Sequence, residues 1–328
     1  MPRALRERGI LTMLILPSRR QFLTGLGASA AVAGSTGVYA FGIEPLYRLV
    51  VTRYAPVLPH WTPGLTLHVA VLADFHVGEP FMPLDRIAEI VDATNALKPD
   101  LILMLGDYPA GPSVTYRKVP LTEFARVIAG LKAPLGVHAI LGNHDWWDDH
   151  AAQDRLSGPV VARRALEDVG IPVMENDALR LVKDGKPFWI AGVGDQIPFL
   201  LQGLDMGLDD LPGTLAKVTD SAPILLMIHE PDLFLDVPER VSLTLAGHTH
   251  GGQIRLFGYS PVIPSVRGND FAYGHVVRRG QHMIVSGGFG VSRIPVRLGV
   301  PPEIVLLELG ADAETQGKTV QRTKILHG

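Results

Sequence analysis

The chain contains no cysteine among its 328 residues. That absence removes disulfide frameworks, thiolate zinc sites and cysteine nucleophiles together, although it does not choose between cytosol and cell envelope. Neither sign of charge is in excess: 30 Lys+Arg stand against 33 Asp+Glu, a formal net charge of −3. With no long basic run, the electrostatic footprint of duplex nucleic-acid binding is missing, and no nucleic-acid partner is expected. Internal repeats and low-complexity segments are also absent; the 35 Gly and 26 Pro are scattered, as turns between short elements require. Apolar side chains are plentiful at 47%. At this length they support a large core in one or two domains of roughly 100–200 residues each.

Near the N-terminus, Ser18-Arg19-Arg20-Gln21-Phe22-Leu23 places an arginine pair before a weakly apolar stretch, Phe22 to Ile43, made mostly of Gly, Ala, Ser, Thr and Val. This resembles a bacterial twin-arginine export signal, which a receptor of the export machinery reads. Val38-Tyr39-Ala40 offers small residues where a signal peptidase requires them. The stretch also matches the ~20 residues that span a bilayer, so a retained membrane anchor is the alternative, and an ordinary first helix the plainer one. The expected organisation is a signal or anchor over 1–43, a catalytic domain over 44–310 and a polar tail over 311–328, with the chain exported to the periplasm, envelope or membrane.

Beyond Ile43, strands and helices alternate. Thr66 to Ala73 and Asp100 to Leu105 are near-continuous apolar runs, as strands buried on both faces should be. Between them, Leu84, Ile87, Ile90 and Val91 recur at helical spacing, which makes one βαβ unit. A helix over Pro120 to Leu131, a strand over Gly136 to Leu141 and a helix over Val160 to Val169 follow. Leu179 to Lys183 and Phe188 to Val193 then form a hairpin across Asp184-Gly185. Ile224 to Ile228 and Ser242 to Ala246 read as two further strands, and Tyr273 to Leu309 as strands separated by Gly and Pro.

Chemistry-bearing residues sit at the strand ends: Asp74-Phe75-His76, Gly106-Asp107, Gly142-Asn143-His144-Asp145, His229, and Gly247-His248-Thr249-His250. In open α/β sheets, groups beyond the carboxyl ends of strands converge on one crevice. Five loops therefore deliver Asp, His and Asn to one point, the composition of a metal site. Imidazoles, carboxylates and an amide carbonyl without sulfur suit Mn, Fe, Zn, Co or Ni better than Ca or Cu(I). Taken singly, each element is as well explained as a cap or a satisfied core residue; together they are not.

The order D-x-H, GD, GNHD, H, GHTH resembles the calcineurin-like metallophosphoesterases, over roughly Leu65 to Leu309. The resemblance implies an α/β fold, a four-layer α/β/β/α sandwich with mixed sheets, and phosphate-ester hydrolysis by two divalent or trivalent metal ions. It implies Asp74, His76 and His250 on one ion, Asn143, His229 and His248 on the other, and Asp107 bridging both. Two ions held about 3.5–4 Å apart clamp the attacking and leaving oxygens of an in-line displacement, with an ionised water between them as nucleophile. His144 is implied to contact phosphate and protonate the leaving oxygen, with Asp145 fixing its tautomer. Gly106-Asp107-Tyr108-Pro109 lacks a further acidic residue that many relatives carry, which affects contacts around the ligands and not the ligands themselves.

Gly247 to Gln253 and His229-Glu230-Pro231-Asp232 resemble a subgroup of envelope phosphodiesterases with relatives acting on UDP-2,3-diacylglucosamine in lipid A synthesis. The expected substrate is a small-molecule or lipid phosphate ester, cleaved by phosphodiesterase or pyrophosphatase action. A broad phosphomonoesterase is the alternative, and a non-catalytic binding protein on the same fold a third. Ile197, Pro198, Phe199, Leu200, Leu201, Leu204, Met206 and Leu208 either line a lipid-accommodating mouth or pack on the core. Arg255, Arg267 and Arg293 are candidates to grip a second phosphate, and Asp148, Asp149 and His150 read as solvated loop.

Overall fold

A computed structural model describes residues 18–111, 113–200, 206–310 and 321–324. Two six-stranded sheets stack face to face. The first runs in the order Gln321–Lys324, Val50–Tyr54, Glu303–Leu309, Leu67–Leu72, Leu101–Met104, Val137–Ala139. The second runs Gly274–Arg278, Gln281–Val285, Leu243–Ala246, Ile224–Met227, Lys186–Gly192, Asp177–Lys183. Both are mixed: neighbours are parallel through the strands that carry the site and where Val50–Tyr54 meets Glu303–Leu309, and antiparallel elsewhere, notably where Glu303–Leu309 meets Leu67–Leu72 and in the two hairpins of the second sheet.

Side-chain alternation explains the layering. Leu67, Val69 and Val71 point into the core between the sheets, where they meet Leu103, Leu225, Leu245 and Val305. The intervening Ala70 and Leu72 point the other way, onto Ile87, Ile90 and Phe124 of the helices Leu84–Ala96 and Leu121–Ile128. On the second sheet Ile224 and Leu226 face outward to Leu233, Phe234 and Phe271. Helix, sheet, sheet and outer helices make four layers, and each central strand is buried on both faces, which is why its sequence is continuously apolar.

The expected hairpin occurs as Asp177–Lys183 and Lys186–Gly192. Two boundaries differ from expectation. The segment 311–328 is not wholly a tail, because Gln321–Lys324 pairs antiparallel with Val50–Tyr54. The N-terminal helix does not stop at residue 43: Arg19–Val38 continues as a π-helical turn, Tyr39–Ile43, into Glu44–Tyr47. Its last turns are packed, with Ala40, Glu44 and Pro45 buried, while Leu26, Val32 and Val38 are exposed.

Candidate metal centre

Asp74 and His76 follow Leu67–Leu72, Asp107 follows Leu101–Met104, and Asn143 and His144 follow Val137–Ala139. His229 follows Ile224–Met227, and His248 and His250 follow Leu243–Ala246. Parallel strands bring all these carboxyl ends to one edge. Asp74, His76, Asp107, His248 and His250 have φ of 53°, 46°, 59°, 68° and 51°. Each such left-handed residue costs on the order of 1–3 kcal/mol and persists only where its surroundings over-determine it. Five of them converge here.

Two glycines let the loops meet. A Cβ on Gly106, where φ is +89°, would lie 2.3 Å from the Gly142 nitrogen. One on Gly142 would lie 2.5 Å from both Asp107 Oδ1 and His229 Cε1. Gly142→Ala should therefore spread Asp107 from His229, lowering metal affinity by about 10–100-fold, as loss of support around ligands does. Elemental analysis after dialysis and a melting curve check this; unchanged metal content with an unchanged Tm would mean that the approach is not tight.

Asp74, His76, Asp107 and His250 present ligand atoms that all lie within 4.8 Å of one another, and Asp107, His229 and His248 do the same. Asp107 thus belongs to both groups. His76 Nδ1 lies 3.0 Å from the Pro109 carbonyl and His229 Nδ1 2.6 Å from the Leu105 carbonyl. A carbonyl only accepts, so each ring donates from Nδ1 and turns Nε2 inward, the orientation that a metal-binding imidazole needs. Asn143 Oδ1 sits 2.8 Å from His248 Nδ1, beside the second group.

Burial pushes His76 down to about 3 and lowers His248 and His250 as well, so three rings stay neutral and ligand-ready at neutral pH. His229 differs: burial opposes its charge, but the Asp107 carboxylate, 3.3 Å from Nε2, outweighs burial and raises its pKa well above the usual imidazole range. Burial lifts Asp74 to about 7, whereas the surrounding imidazoles, His229 foremost, override burial at Asp107 and hold it well below the carboxylate range. Asp74 Oδ2 is buried without a hydrogen-bond partner, and His229 Nε2 has only the Asp107 carboxylate, 3.3 Å away and outside hydrogen-bond geometry. An unmade bond of this kind costs roughly 1–3 kcal/mol, more for a charge. A cation would satisfy Asp74 Oδ2 directly and His229 Nε2 by displacing its proton, so the residues fit a metal pair.

His144 lies beside the cluster without joining either group. Its ring stands edge-on to His76, centroids 4.9 Å apart, and its backbone N–H donates to Asp107 Oδ1 at 2.8 Å. Burial works against its charged form, but Asp107 and Asp148 raise its pKa above the usual value. The residue that orients it is not the expected one. Asp145 accepts from the N–H groups of Gly142, Asp107 and Tyr108 at 2.8, 2.9 and 3.1 Å, bracing two loops against each other. Asp148 Oδ2, 3.3 Å from His144 Nδ1, holds the ring instead. The cause is helical: Asn143–Trp147 is a short helix, on which residue i+4 shares a face with residue i and residue i+1 does not. Asp149, also expected in solvated loop, caps the helix His150–Arg155 by accepting from the Ala152 N–H.

Sequence reasoning also missed Arg297, which no motif marks. It is fully buried; its guanidinium donates to the carbonyls of Gly287, Gly290 and Val300 and lies 3.2 Å from His250 Nδ1. Of the proposed phosphate-gripping arginines, Arg255 turns to Ser260 and Asn269, Arg267 pairs with Asp270, and Arg293 lines the cleft.

The cleft over the cluster, about 370 Å³, is walled by Trp147, Val262, Ile263, Pro264 and Ile294. Among the described residues, the apolar segment after Asp195 does not line this mouth. Trp147 and Gln153 bond the carbonyls of Ile197 and Pro198, and Phe199 packs edge-on against Trp146. Leu201 and Leu204 lie outside the described residues.

The sequence profile described as calcineurin-like phosphoesterase matches residues 67–252, more than half of the chain and all seven candidate ligands. The chain belongs to this family. It is 32% identical over 301 residues to the uncharacterized metallophosphoesterase YkuE of Bacillus subtilis, covering 89% of this chain and 97% of that one. It is 28% identical over 295 residues to the phosphodiesterase YaeI of Escherichia coli, covering 89% and 99%. A Danio rerio transmembrane protein with a metallophosphoesterase domain is 28% identical over 262 residues, 77% of this chain and 54% of that one. With this membership and the buried Asp/His cluster, the chain is a hydrolase of the metallophosphoesterase type.

Proposed function

We propose that the chain is a two-metal phosphodiesterase of the cell envelope. Asp74, His76, Asp107 and His250 would hold one ion, and Asp107, Asn143, His229 and His248 the other. The observation that carries this reading is that one buried carboxylate, Asp107, belongs to two groups of ligand atoms. When bound, the ions supply the Lewis acidity for attack of water on phosphorus. The chain's own groups do the rest. Lone pairs fixed by the Pro109 and Leu105 carbonyls set the geometry, and the protonated His144 gives its proton to the departing oxygen. Asp148 keeps that proton on His144, and the apolar walls of the cleft exclude bulk water.

The name of the E. coli relative and the room above the cluster favour a diester. The test compares bis-p-nitrophenyl phosphate with p-nitrophenyl phosphate on the metal-loaded chain. A higher kcat/KM for the diester is expected; the reverse order would install the phosphomonoesterase reading.

Asp148 gives a pH prediction. A raised imidazole pKa keeps the acid form of His144 populated to higher pH, so activity on poor leaving groups is lost as pH rises through it. Asp148→Asn removes the nearer part of that support and should move this basic limb about one unit lower, one unit being ~1.4 kcal/mol. A kcat/KM profile that keeps its basic limb would remove Asp148 from this role.

Arg19 and Arg20 open the N-terminal helix behind Ser18, which caps it, and present the pair that the export receptor reads. Changing both to Lys should leave the protein in the cytoplasm with its metals loaded, as fractionation and elemental analysis would report. Unchanged envelope localisation would refute twin-arginine export. An exported enzyme meets membrane-lipid or wall-polymer diesters more readily than the UDP-sugar lipid of the resembled subgroup, because nucleotide chemistry is cytoplasmic.

A further inference from the structure

One border of the cleft carries side chains that a water-facing loop does not ordinarily show. Leu256, Phe257, Tyr259, Val262 and Val266 are exposed at 50%, 108%, 64%, 73% and 86%, and Ile294 beside them at 51%. Leu256 and Tyr259 exchange backbone hydrogen bonds of 2.9 and 3.0 Å, which makes Phe257-Gly258 the tip of a tight hairpin. Both tip residues have positive φ, 51° and 83°. Turns of that shape select Asn-Gly or Gly-Gly. A phenylalanine there is unfavourable in its backbone, and with its ring wholly in water it is unfavourable again. Among the described residues nothing packs on the ring to offset either cost.

This loop and the segment 292–298 are one rim. Arg255 N–H donates to Leu298 O at 2.8 Å, and the Gln253 amide donates to the carbonyls of Ile294 and Val296. Val262, Ile263, Pro264 and Ile294 carry the rim into the cleft, where the exposed Arg293 joins them. The N-terminal helix is anchored to this same segment, because Arg297 N–H donates to Ala40 O at 2.9 Å, both residues buried. That helix, Arg19–Tyr47, is long and apolar enough to cross a membrane. An apolar hairpin tip, a cation at the cleft and a membrane-length helix anchored to the same segment are therefore joined through one rim of the centre, the combination that seats a surface in lipid.

We infer that the rim Leu256 to Val266, with Ile294, docks into a lipid bilayer, so that the cleft takes the phosphodiester of an amphipathic lipid. The docking stands on the rim alone; the substrate class deepens the phosphodiesterase reading and rests on it. The absence of cysteine makes the test simple. Phe257→Cys or, as a second probe, Val266→Cys is labelled with an environment-sensitive fluorophore in the full metal-loaded chain. The chain is then reconstituted in equimolar phosphatidylcholine and phosphatidylglycerol vesicles. Val182→Cys is the reference, because it is exposed at the opposite end of the strands. Blue-shifted emission at 257 and 266, quenched by acyl-brominated lipid, with neither effect at 182, is the expected result. Rim labels that stay as water-exposed as the one at 182 overturn the docking, whatever the centre hydrolyses.

A second arm uses Phe257→Asp with Val266→Asp, neither of which lines the cleft. Their kcat/KM for hexadecyl p-nitrophenyl phosphate in those vesicles should fall at least about tenfold, given the transfer cost of two such side chains. That for bis-p-nitrophenyl phosphate in solution should hold. A loss of the same size on both substrates, or no turnover of the hexadecyl ester by the unmodified chain, would overturn the lipid substrate, while failure of the unmodified chain on both diesters would overturn the phosphodiesterase reading with the label result still standing.

Discussion

Asp107→Asn is expected to leave the chain with fewer than two bound ions and almost no hydrolysis of a phosphodiester. Two dications at the spacing usual for two-metal sites, about 4 Å, would repel by roughly 16 kcal/mol even at an effective dielectric of 20. The shared carboxylate is the negative charge placed to offset that repulsion, and the imidazoles around it keep it ionised. Asparagine preserves the volume and one oxygen, which can still accept from the His144 N–H, so the effect reads charge and not packing. Elemental analysis with turnover of bis-p-nitrophenyl phosphate measures it. Two ions and ordinary turnover in this variant would mean that the centre is not built around Asp107.

His144→Ala should separate chemistry from metal binding. The ring belongs to neither ligand group but lies against His76 and over the cleft. Removing it should keep both ions and slow hydrolysis of a diester with a poor leaving group by roughly 10²–10⁴-fold, the range of general-acid contributions. A p-nitrophenyl ester leaves without much help from a proton and should suffer less. Equal losses across a series of leaving groups would place His144 in phosphate binding alone.

The parts of this molecule legible in its sequence are those in which local pattern and tertiary environment agree. Leu67–Leu72 and Leu101–Met104 are buried on both faces, so their runs are apolar throughout, and the ligands sit just past their ends, where parallel strands must deliver them. Val50–Tyr54 left no comparable mark: it is short, contains Arg53, and its partner Glu303–Leu309 lies some 250 residues away in the chain. The exchange of Asp145 for Asp148 could not be read from order alone, since it depends on residues 143–147 being helical. Side-chain direction is not written in an apolar loop. The segment holding Phe199 is open, in sequence, to either a mouth or the core, and Phe199 packs on Trp146, whereas Phe257 and Val262, which no motif marks, are exposed.

The most direct measurement is a metal titration of the full chain after chelation, with Mn or Zn returned in steps and bis-p-nitrophenyl phosphate hydrolysis followed alongside bound metal. Binding that saturates at two ions per chain, with activity rising to its maximum only as the second site fills, is the predicted result. Saturation at a single ion, or full activity in the chelated protein, would contradict a centre bridged by Asp107.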